Sequence, residues 1–503
     1  MGYSTLPISK FYGSLFLTGL ILFQYFPPLV YADESKTIER LIELTEPRGQ
    51  AVQEKVARIN AGKKAYMQFC VHCHGLQGQG DGKASAYLRP FPRDLSLGIF
   101  KFRSTPSNAL PLNEDLYRTI RQGVPGTAMP AWGEVLAEET LISLVEYIKY
   151  FSSRFQIETP DFIMPIGLEP PYEKRSIEKG RILYKELRCG RCHGEKGERS
   201  GQLDNKLTDA WGNPSVVYDL KQPRLYKAGY SSEEIYHTLV TGLDGTPMNT
   251  YDYVPAGDLW HLVHFLQSQH KNEEILPLRI SQKIVSNSTS KKIGTSPEDI
   301  LWKGIESVSI KLRALQSELG HPSVVKVQSL HNSEQIAFRL QWEDETPEIA
   351  KPGANFYMDA VALQFSSLSR FDLIYYGMGE RQKPVNIWHW KADSFQIVEG
   401  QSQIRNKFAV NPFSEKSVEE MNASGFGTLT VQSLEDQQVA GKGRWKNGKW
   451  TVVFLRNLKT ASPFDIQFLK SANALVAFAL WDGQQKEKNA NKRVSFWQQL
   501  LIP

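Results

Sequence analysis

The hydrophobic pattern of the chain changes character near residue 296. Before that point apolar residues recur every three or four positions, which predicts amphipathic helices over residues 51–69, 113–122, 137–151 and 176–188. After it, short runs rich in β-branched and aromatic residues alternate with polar positions, and the pair Asn447-Gly448 predicts a hairpin turn. The predicted strands cover residues 335–342, 357–365, 371–376, 385–391, 425–431, 450–455, 475–481 and 494–500. The pattern therefore indicates an α-helical first part followed by an all-β antiparallel sandwich.

Residues 1–32 follow neither pattern. Lys10 is their only charged residue, and residues 11–30 are almost wholly apolar. The segment ends in a small residue, Ala32, and its two adjacent prolines interrupt the apolar run short of a full membrane span. We therefore predict a secretory signal peptide over residues 1–32 and a periplasmic protein, with an uncleaved membrane anchor as the alternative. No later stretch is long and apolar enough to cross a bilayer.

The composition of the chain indicates a soluble protein of several globular domains. The 503 residues are 41% hydrophobic and 22% charged, which is typical of soluble globular domains, and the length predicts several of them. The net charge of +5 is mild for this length, and no basic run is interleaved with aromatic residues. Nucleic acid is therefore not a predicted partner.

All four cysteines of the chain lie in two Cys-x-x-Cys-His motifs. Two thiols three residues apart, followed at once by histidine, form the attachment signature of c-type haem. One helical turn presents both sulfurs to a single porphyrin, and the adjacent imidazole becomes the proximal iron ligand. A zinc knuckle or a disulfide is the alternative, but zinc would need further cysteines that the chain does not contain. The predicted residues are Cys70, Cys73 and His74 for the first haem, and Cys189, Cys192 and His193 for the second.

The sixth iron ligand of an electron-transfer haem is normally Met or His. Between the first motif and Tyr150 the chain has one methionine, Met129, and no histidine. A second copy of the pattern follows at the constant offset that separates Cys70 from Cys189, and it places Met248 in the position of Met129. We therefore predict Met129 and Met248 as the sixth ligands. The rival ligands in the second copy are His237, His261, His264 and His270.

Both copies resemble class I (mono-haem) cytochrome c domains, through Cys-x-x-Cys-His and the later Gly-Thr-x-Met. The resemblance implies two all-α domains, each with one covalent haem c. The second copy has Asn249 where the first has Pro130, a difference that could tune the iron potential through hydrogen bonding near the Met sulfur. The predicted order is a tether over 33–50, cytochrome domains over 51–152 and 173–270, linkers over 153–172 and 271–295, and the sandwich over 296–503.

The sandwich resembles the haem b-binding gamma subunit of ethylbenzene dehydrogenase and its relatives among dimethylsulfide dehydrogenase, selenate and chlorate reductases and nitrite-oxidising enzymes. The stretches that carry the likeness are residues 356–365, 376–379, 384–393, 425–430 and 443–450. The resemblance implies one non-covalent haem b held by a Met and a Lys. Met378, in a Gly-Met-Gly loop, and Lys391, on a predicted strand face shared with His389, are the predicted ligands. The alternatives are Met358 and Met421 for the methionine, and Lys407, Lys416, Lys442 and His389 for the second ligand.

These features predict a non-catalytic electron-transfer subunit with two c haems and one b haem. The resemblance implies the molybdenum catalytic and iron–sulfur subunits of an oxidoreductase as partners, with a soluble cytochrome or a respiratory complex as the external one. A dihaem cytochrome with a haem-free sandwich for binding or docking is the alternative. A free-standing haem enzyme is a third hypothesis, but it needs an open iron position, which Met/His ligation at both c haems would not leave.

Overall fold

The computed structural model describes residues 34–203, 206–271, 280–316, 323–349, 357–366, 376–392, 397–398, 417–468 and 473–503. Met1–Lys55 and Val56–Pro503 form two compact units, and the sites described below all lie in the second. The predicted signal peptide over 1–32 and most of the strand predicted over 371–376 lie outside the described residues. Among those that are described, every helix is too short or too polar to span a bilayer.

Nine α-helices form the first part of the described chain. They are α1 Glu34–Phe69, α2 Val71–His74, α3 Asn113–Gln122, α4 Glu138–Lys149, α5 Arg154–Ile157, α6 Lys174–Glu186, α7 Gly190–His193, α8 Ser232–Thr241 and α9 Ala256–Ser268. The helix predicted to start at residue 51 begins at Glu34, and the one predicted over 113–122 has those bounds. In each copy the closing helix, α4 or α9, crosses the helix that leads into the haem motif.

The crossing has the same packing in both copies. In the first, the backbone of Gly62 on α1 lies so close to α4 that a side chain there would overlap the carbonyl oxygen of Ser143. In the second, Gly180 on α6 lies in the same way against His261 on α9. A glycine at each crossing thus lets two helix backbones approach closely, and an apolar cluster is buried around each crossing, the first of which continues into the sandwich.

The β-strands follow in the second part. They are β1 Lys283–Val285, β2 Asn287–Ser288, β3 Val308–Ala314, β4 Ser323–His331, β5 Gln335–Glu343, β6 Ala360–Ser366, β7 Val385–Lys391, β8 Ile397–Val398, β9 Val418–Ala423, β10 Thr430–Val431, β11 Ala440–Lys446, β12 Lys449–Asn457, β13 Asn473–Trp481, β14 Arg493–Val494 and β15 Gln498–Leu501. One hydrogen-bonded path runs β10-β9-β7-β6-β13-β14-β3-β4-β5-β12-β11-β8, and its long neighbouring pairs are antiparallel. The antiparallel β fold is thereby confirmed.

The two halves of this path face each other across an aromatic core. Trp390 on β7 packs against Trp342 on β5 and Trp450 on β12, with ring centroids 6.3 and 5.1 Å apart. Because side chains alternate along a strand, His389 and Lys391 on β7 point away from this core. The outer face of β6, β7, β9 and β13 is therefore available for a second site.

Candidate haem sites

The two Cys-x-x-Cys-His motifs form the same short helix. The backbone amide of His74 donates to the carbonyl of Cys70 at 2.9 Å, and that of His193 donates to Cys189 at 3.0 Å. None of the four cysteines, all of which lie in the described part of the chain, forms a disulfide. In each copy a buried tyrosine hydroxyl forms a hydrogen bond with the turn that follows the motif. The Tyr66 hydroxyl donates to the carbonyl of Gly75 at 2.8 Å, and the Tyr184 hydroxyl donates to the carbonyl of Gly194 at 2.7 Å.

Hydrogen bonds orient both predicted proximal histidines. Nδ1 of His74 lies 3.0 Å from the carbonyl oxygen of Arg93, and Nδ1 of His193 lies 3.4 Å from that of Tyr218. A carbonyl accepts only from a protonated nitrogen, so Nε2 would be the ligand atom in each predicted haem site. Burial lowers the pKa of His74, which favours the neutral imidazole that binds iron.

The two methionine loops share one hydrogen-bond pattern. The Thr127 hydroxyl donates to Val124 at 2.8 Å and accepts from the amide of Met129 at 3.2 Å. The Thr246 hydroxyl donates to Leu243 at 2.7 Å and accepts from the amide of Met248 at 3.2 Å. The threonine of Gly-Thr-x-Met therefore fixes the loop that carries the methionine. Met248 lines a cavity of about 550 Å³ together with Cys189, Cys192 and His193, so the structure brings the predicted residues of the second haem together.

Two rival histidines of the second copy have other partners. Nδ1 of His264 lies 2.6 Å from the Ser176 hydroxyl and its Nε2 lies 3.1 Å from Glu169, while Nδ1 of His261 lies 2.7 Å from the same hydroxyl. These bonds tie α9 to α6 and to the segment before it. The two histidines therefore have a structural role that accounts for their positions.

A cavity of about 650 Å³ opens on the outer face of the sandwich. Its walls carry small and apolar side chains from four neighbouring strands, which leave a broad apolar surface: Ala360, Ala362, Ile387, Met421, Ala477 and Ala479. Nε2 of His389, a buried nitrogen in this cavity, has no hydrogen-bond partner among the described residues. An apolar cavity edged by a few polar groups fits a macrocycle with non-covalent ligands.

Met378 faces this cavity from a constrained loop. Its φ of 65° is in the left-handed region, which a side chain other than glycine seldom adopts. The conformation is held because the Met378 amide donates to Gln364 at 3.2 Å and the Met378 carbonyl accepts from Gly425 at 2.8 Å. A held conformation of this kind is common at functional sites. The predicted methionine ligand thus lies in a cavity that suits haem b.

The structure adds a lysine that no sequence pattern indicates. Nζ of Lys492, just before β14, donates to Sδ of Met378 at 3.9 Å, so the two side chains meet in the cavity and together would hold a haem iron. Burial lowers the pKa of Lys492 to about 8, which favours the neutral amine that coordination requires. Lys391 lines the same cavity, but its Nζ donates to Glu419 at 2.7 Å. Geometry therefore favours Lys492, and Lys391 stays a prediction.

The remaining candidate ligands of haem b have different positions. Lys407 and Lys416 lie outside the described residues, and Lys442 lies on β11, which pairs with β12 in the other half of the path. Met358 and Met421 line the cavity with Met378. Burial and the nearby amines lower the pKa of His389 well below its usual range, so it remains a neutral rival ligand.

The first cytochrome domain packs directly against this face of the sandwich. The Tyr376 hydroxyl, two residues before Met378, donates to the carbonyl of Ala128 at 3.4 Å, next to Met129. Phe496 bridges the same junction, with its ring 5.2 Å from Tyr376 and 5.8 Å from Trp132. The methionines predicted for two different haems therefore belong to one continuous apolar cluster.

Three family models match the chain, each over one predicted domain. Residues 57–148 match the model described as cytochrome c oxidase, cbb3-type, subunit III, and residues 177–270 match cytochrome c. Residues 299–406 and 422–493 match ethylbenzene dehydrogenase.

Three curated proteins are similar over about two fifths of this chain. The chlorate reductase gamma subunit of Ideonella dechloratans is 26% identical over 41% of this chain and 78% of its own length. The dimethylsulfide dehydrogenase gamma subunit of Rhodovulum sulfidophilum is 28% identical over 40% of this chain and 71% of its own. ORF7 of Haloferax mediterranei, described as a candidate haem subunit of a respiratory nitrate reductase, is 28% identical over 40% of this chain and 66% of its own.

Solved structures overlap with parts of the chain at low structural similarity. A chain of the reducing HAO-like protein complex of Kuenenia stuttgartiensis is 37% identical over 42% of this chain and 96% of its own, with a TM-score of 0.41. A family 9 carbohydrate-binding module of Caldicellulosiruptor kristjanssonii is 8% identical over 44% of this chain and 96% of its own, with a TM-score of 0.26. The matched domains show that this chain joins two cytochrome c domains to a domain of the ethylbenzene dehydrogenase family.

Proposed function

We propose that this protein is the electron-transfer subunit of a periplasmic molybdenum oxidoreductase, with one haem b and two haems c on one chain. The observation that carries the three-haem interpretation is the approach of Met378 Sδ and Lys492 Nζ to 3.9 Å in an apolar cavity on the sandwich. Met378 and Lys492 would hold the haem b, with Lys391 as the other candidate. His74 with Met129, and His193 with Met248, would hold the two haems c.

The contacts between domains support a linear order of the three centres. Tyr376 connects the Met378 loop to the Met129 loop, so the haem b site adjoins the first cytochrome domain. That domain also contacts the second, where Arg103 donates to Asp244 at 2.8 Å. Single electrons would therefore pass between haem b and the second haem c by way of the first. When bound, the haems supply the redox change, and the protein fixes their ligands, spacing and exclusion from water.

The relatives suggest what lies at the two ends of this chain of centres. Two of them are gamma subunits, of chlorate reductase and of dimethylsulfide dehydrogenase. By analogy, the sandwich would dock on the iron–sulfur subunit of a molybdenum enzyme, and the second cytochrome domain would exchange electrons with a soluble cytochrome or a respiratory complex. The protein itself would not bind the substrate. Gentle purification from the native host should recover a molybdenum enzyme with it, and repeated purification without one would contradict this assignment.

Haem stoichiometry tests the cofactor content. A pyridine haemochrome spectrum of the mature protein should give two c-type haems to one b-type, and acid–acetone extraction should remove only the b-type. Met378→Ala and Lys492→Ala should lose the b-type signal, whereas Lys391→Ala, in the same cavity, should keep it. The reverse result for the two lysines would restore Lys391 as the ligand. Two c-type haems and no b-type in the wild type would leave a dihaem protein whose sandwich binds or docks without haem.

A further inference from the structure

The cavity of the second haem is closed on one side by the first cytochrome domain. Arg93 and Lys101 from the first domain line it together with Cys189, His193 and Met248 from the second. The second domain is therefore not sufficient to enclose its own cofactor site. The charged residues that the first domain contributes are mainly cationic.

Arg93 reaches into the neighbouring domain through specific contacts. Its guanidinium carbon lies 4.3 Å from the centre of the Trp211 ring, and a Cβ on Gly245, in the loop that carries Met248, would lie 2.9 Å from Nη1. Nη1 is buried and has no hydrogen-bond partner among the described residues. A buried guanidinium nitrogen normally has an acceptor, so this position suits an anionic group.

The charges around the cavity are unbalanced. Among the described residues, five arginines and lysines line it but only two acids do, Asp94 and Asp209. Both acids, with Asp244, act electrostatically on Arg93, but their hydrogen bonds are local: Asp94 accepts from Ser96 at 2.9 Å and Asp209 accepts from Trp211 at 3.0 Å. The cationic lining residues are Arg89, Arg93, Lys101, Arg188 and Lys227.

Two of these lysines are desolvated. Burial and the charge of Arg93 lower the pKa of Lys101 to about 8, and burial lowers the pKa of Lys227 well below its usual range. Nζ of Lys227 lies 4.1 Å from the centre of the Tyr218 ring, whose backbone carbonyl is the partner of His193. Each haem carries two propionate carboxylates, and these would supply the missing negative charge.

We propose that Arg93, Lys101 and Lys227 bind the propionates of the haem attached to Cys189 and Cys192, so that the first domain completes the haem site of the second. Arg93 then connects the two centres, because its backbone carbonyl accepts from the proximal His74 while its side chain lies in the second cavity. The inference deepens the proposed function, and it needs the two haems c but neither the haem b nor a partner enzyme.

The reduction potential of the second haem is the readout. A cation near the propionates favours the reduced, less positive centre, so its removal should lower the potential. In the full mature chain, we expect Arg93→Gln to decrease the equilibrium constant for reducing the second haem about tenfold, which is about 59 mV. The first haem should change little, because the backbone carbonyl of Arg93 is retained. Met248→Ala assigns which titrating potential belongs to the second haem.

Matched variants separate this role from a general charge effect. Arg175→Gln removes the same charge from an exposed position on α6, and it should leave both potentials unchanged. Arg93→Lys should give a smaller shift than Arg93→Gln, and Lys227→Gln should also lower the second potential if Arg93→Gln fails to fold. Resonance Raman bands of the propionates should shift in Arg93→Gln. An unchanged second potential in Arg93→Gln and Lys227→Gln, or an equal shift in Arg175→Gln, would overturn the proposal.

Discussion

At the residue scale, the sandwich contains a compact group of carboxylates. Carboxylate oxygens of Asp344, Glu348 and Asp359 lie within 4.8 Å of one another, and Asp344 and Asp359 are buried. Burial and the neighbouring acids Asp359, Asp482 and Glu348 raise the pKa of Asp344 to about 8. Burial raises the pKa of Asp359 to about 7. The folded protein therefore retains protons that the unfolded chain has lost at neutral pH.

Asp344→Asn should stabilise the sandwich in alkaline solution. The folded pKa of about 8 exceeds the unfolded value of about 3.9, so stability falls as pH rises between these values and is constant above them. An amide cannot ionise. Above pH 8 the free energy of unfolding of the variant should therefore exceed that of the wild type by roughly 1–3 kcal/mol, and below pH 4 the two should be equal. Denaturant midpoints with a chelator present measure the gain. Asp252→Asn, at an exposed position, is the control, and an equal gain at pH 4 and pH 8.5 would contradict the explanation.

The candidate ligands of the two proposed kinds of haem differ in how far sequence could identify them. The c-type ligands follow from short motifs and from the repeat, because the residues that meet are close in sequence or occur twice. Lys492 is far from Met378 in sequence, and it reaches the cavity only through the turn between β13 and β14. Lys391 shares a strand face with His389, as the alternation predicted, but its ion pair with Glu419 is a tertiary contact that no local pattern reveals.

At the element scale, the helix crossings should be intolerant of any side chain. Gly62→Ala or Gly180→Ala would place a methyl group against a carbonyl oxygen of the partner helix. We expect either change to lower the free energy of unfolding by about 3 kcal/mol or more. Gly257→Ala on α9, where nothing lies within 4 Å of the added carbon, should be neutral or stabilising by up to ~1 kcal/mol. Unfolding in guanidinium, followed by far-UV circular dichroism, measures the stability of all three variants. A similar loss in Gly257→Ala would contradict the explanation, because that position has room for the added methyl group.

The elements were predicted best where amphipathic pattern and burial coincide. The strand predicted over 385–391 has those bounds, whereas β3, β4, β9 and β11 were not predicted. β9 carries two buried glutamates, so its pattern lacks the usual apolar signal. The polar segment predicted as a linker over 271–295 contains β1 and β2, because backbone pairing with β15 and β4 needs no apolar side chain.

At the scale of the whole molecule, a buried ion pair joins the two cytochrome domains. Asp244 accepts from Arg103 at 2.8 Å, from Ser107 at 2.9 Å and from the Asn108 amide at 2.8 Å. Asp244→Ala would leave the buried guanidinium without its carboxylate, and we expect a loss of about 3–5 kcal/mol from the domain junction. Glu158→Ala, which removes the exposed partner of Arg154, should have a much smaller effect. Hydrogen exchange of the peptides at the junction distinguishes the two, and equal protection in both variants would contradict this expectation.

The proposed linear order of the three haems would make the first cytochrome domain the obligatory intermediate. Ala128 of this domain accepts a hydrogen bond from Tyr376 of the sandwich, and its Arg93 lines the cavity of the second domain. A variant with Cys70→Ala and Cys73→Ala should therefore slow electron transfer between haem b and the second haem c by orders of magnitude, while small soluble mediators still reduce each centre. The matched change in the second motif, Cys189→Ala with Cys192→Ala, should leave transfer between haem b and the first haem c intact. Flash photolysis or stopped-flow reduction measures both rates. Undiminished transfer to the second haem c without the first would require direct contact between the sandwich and the second domain, and would refute the order derived from these contacts.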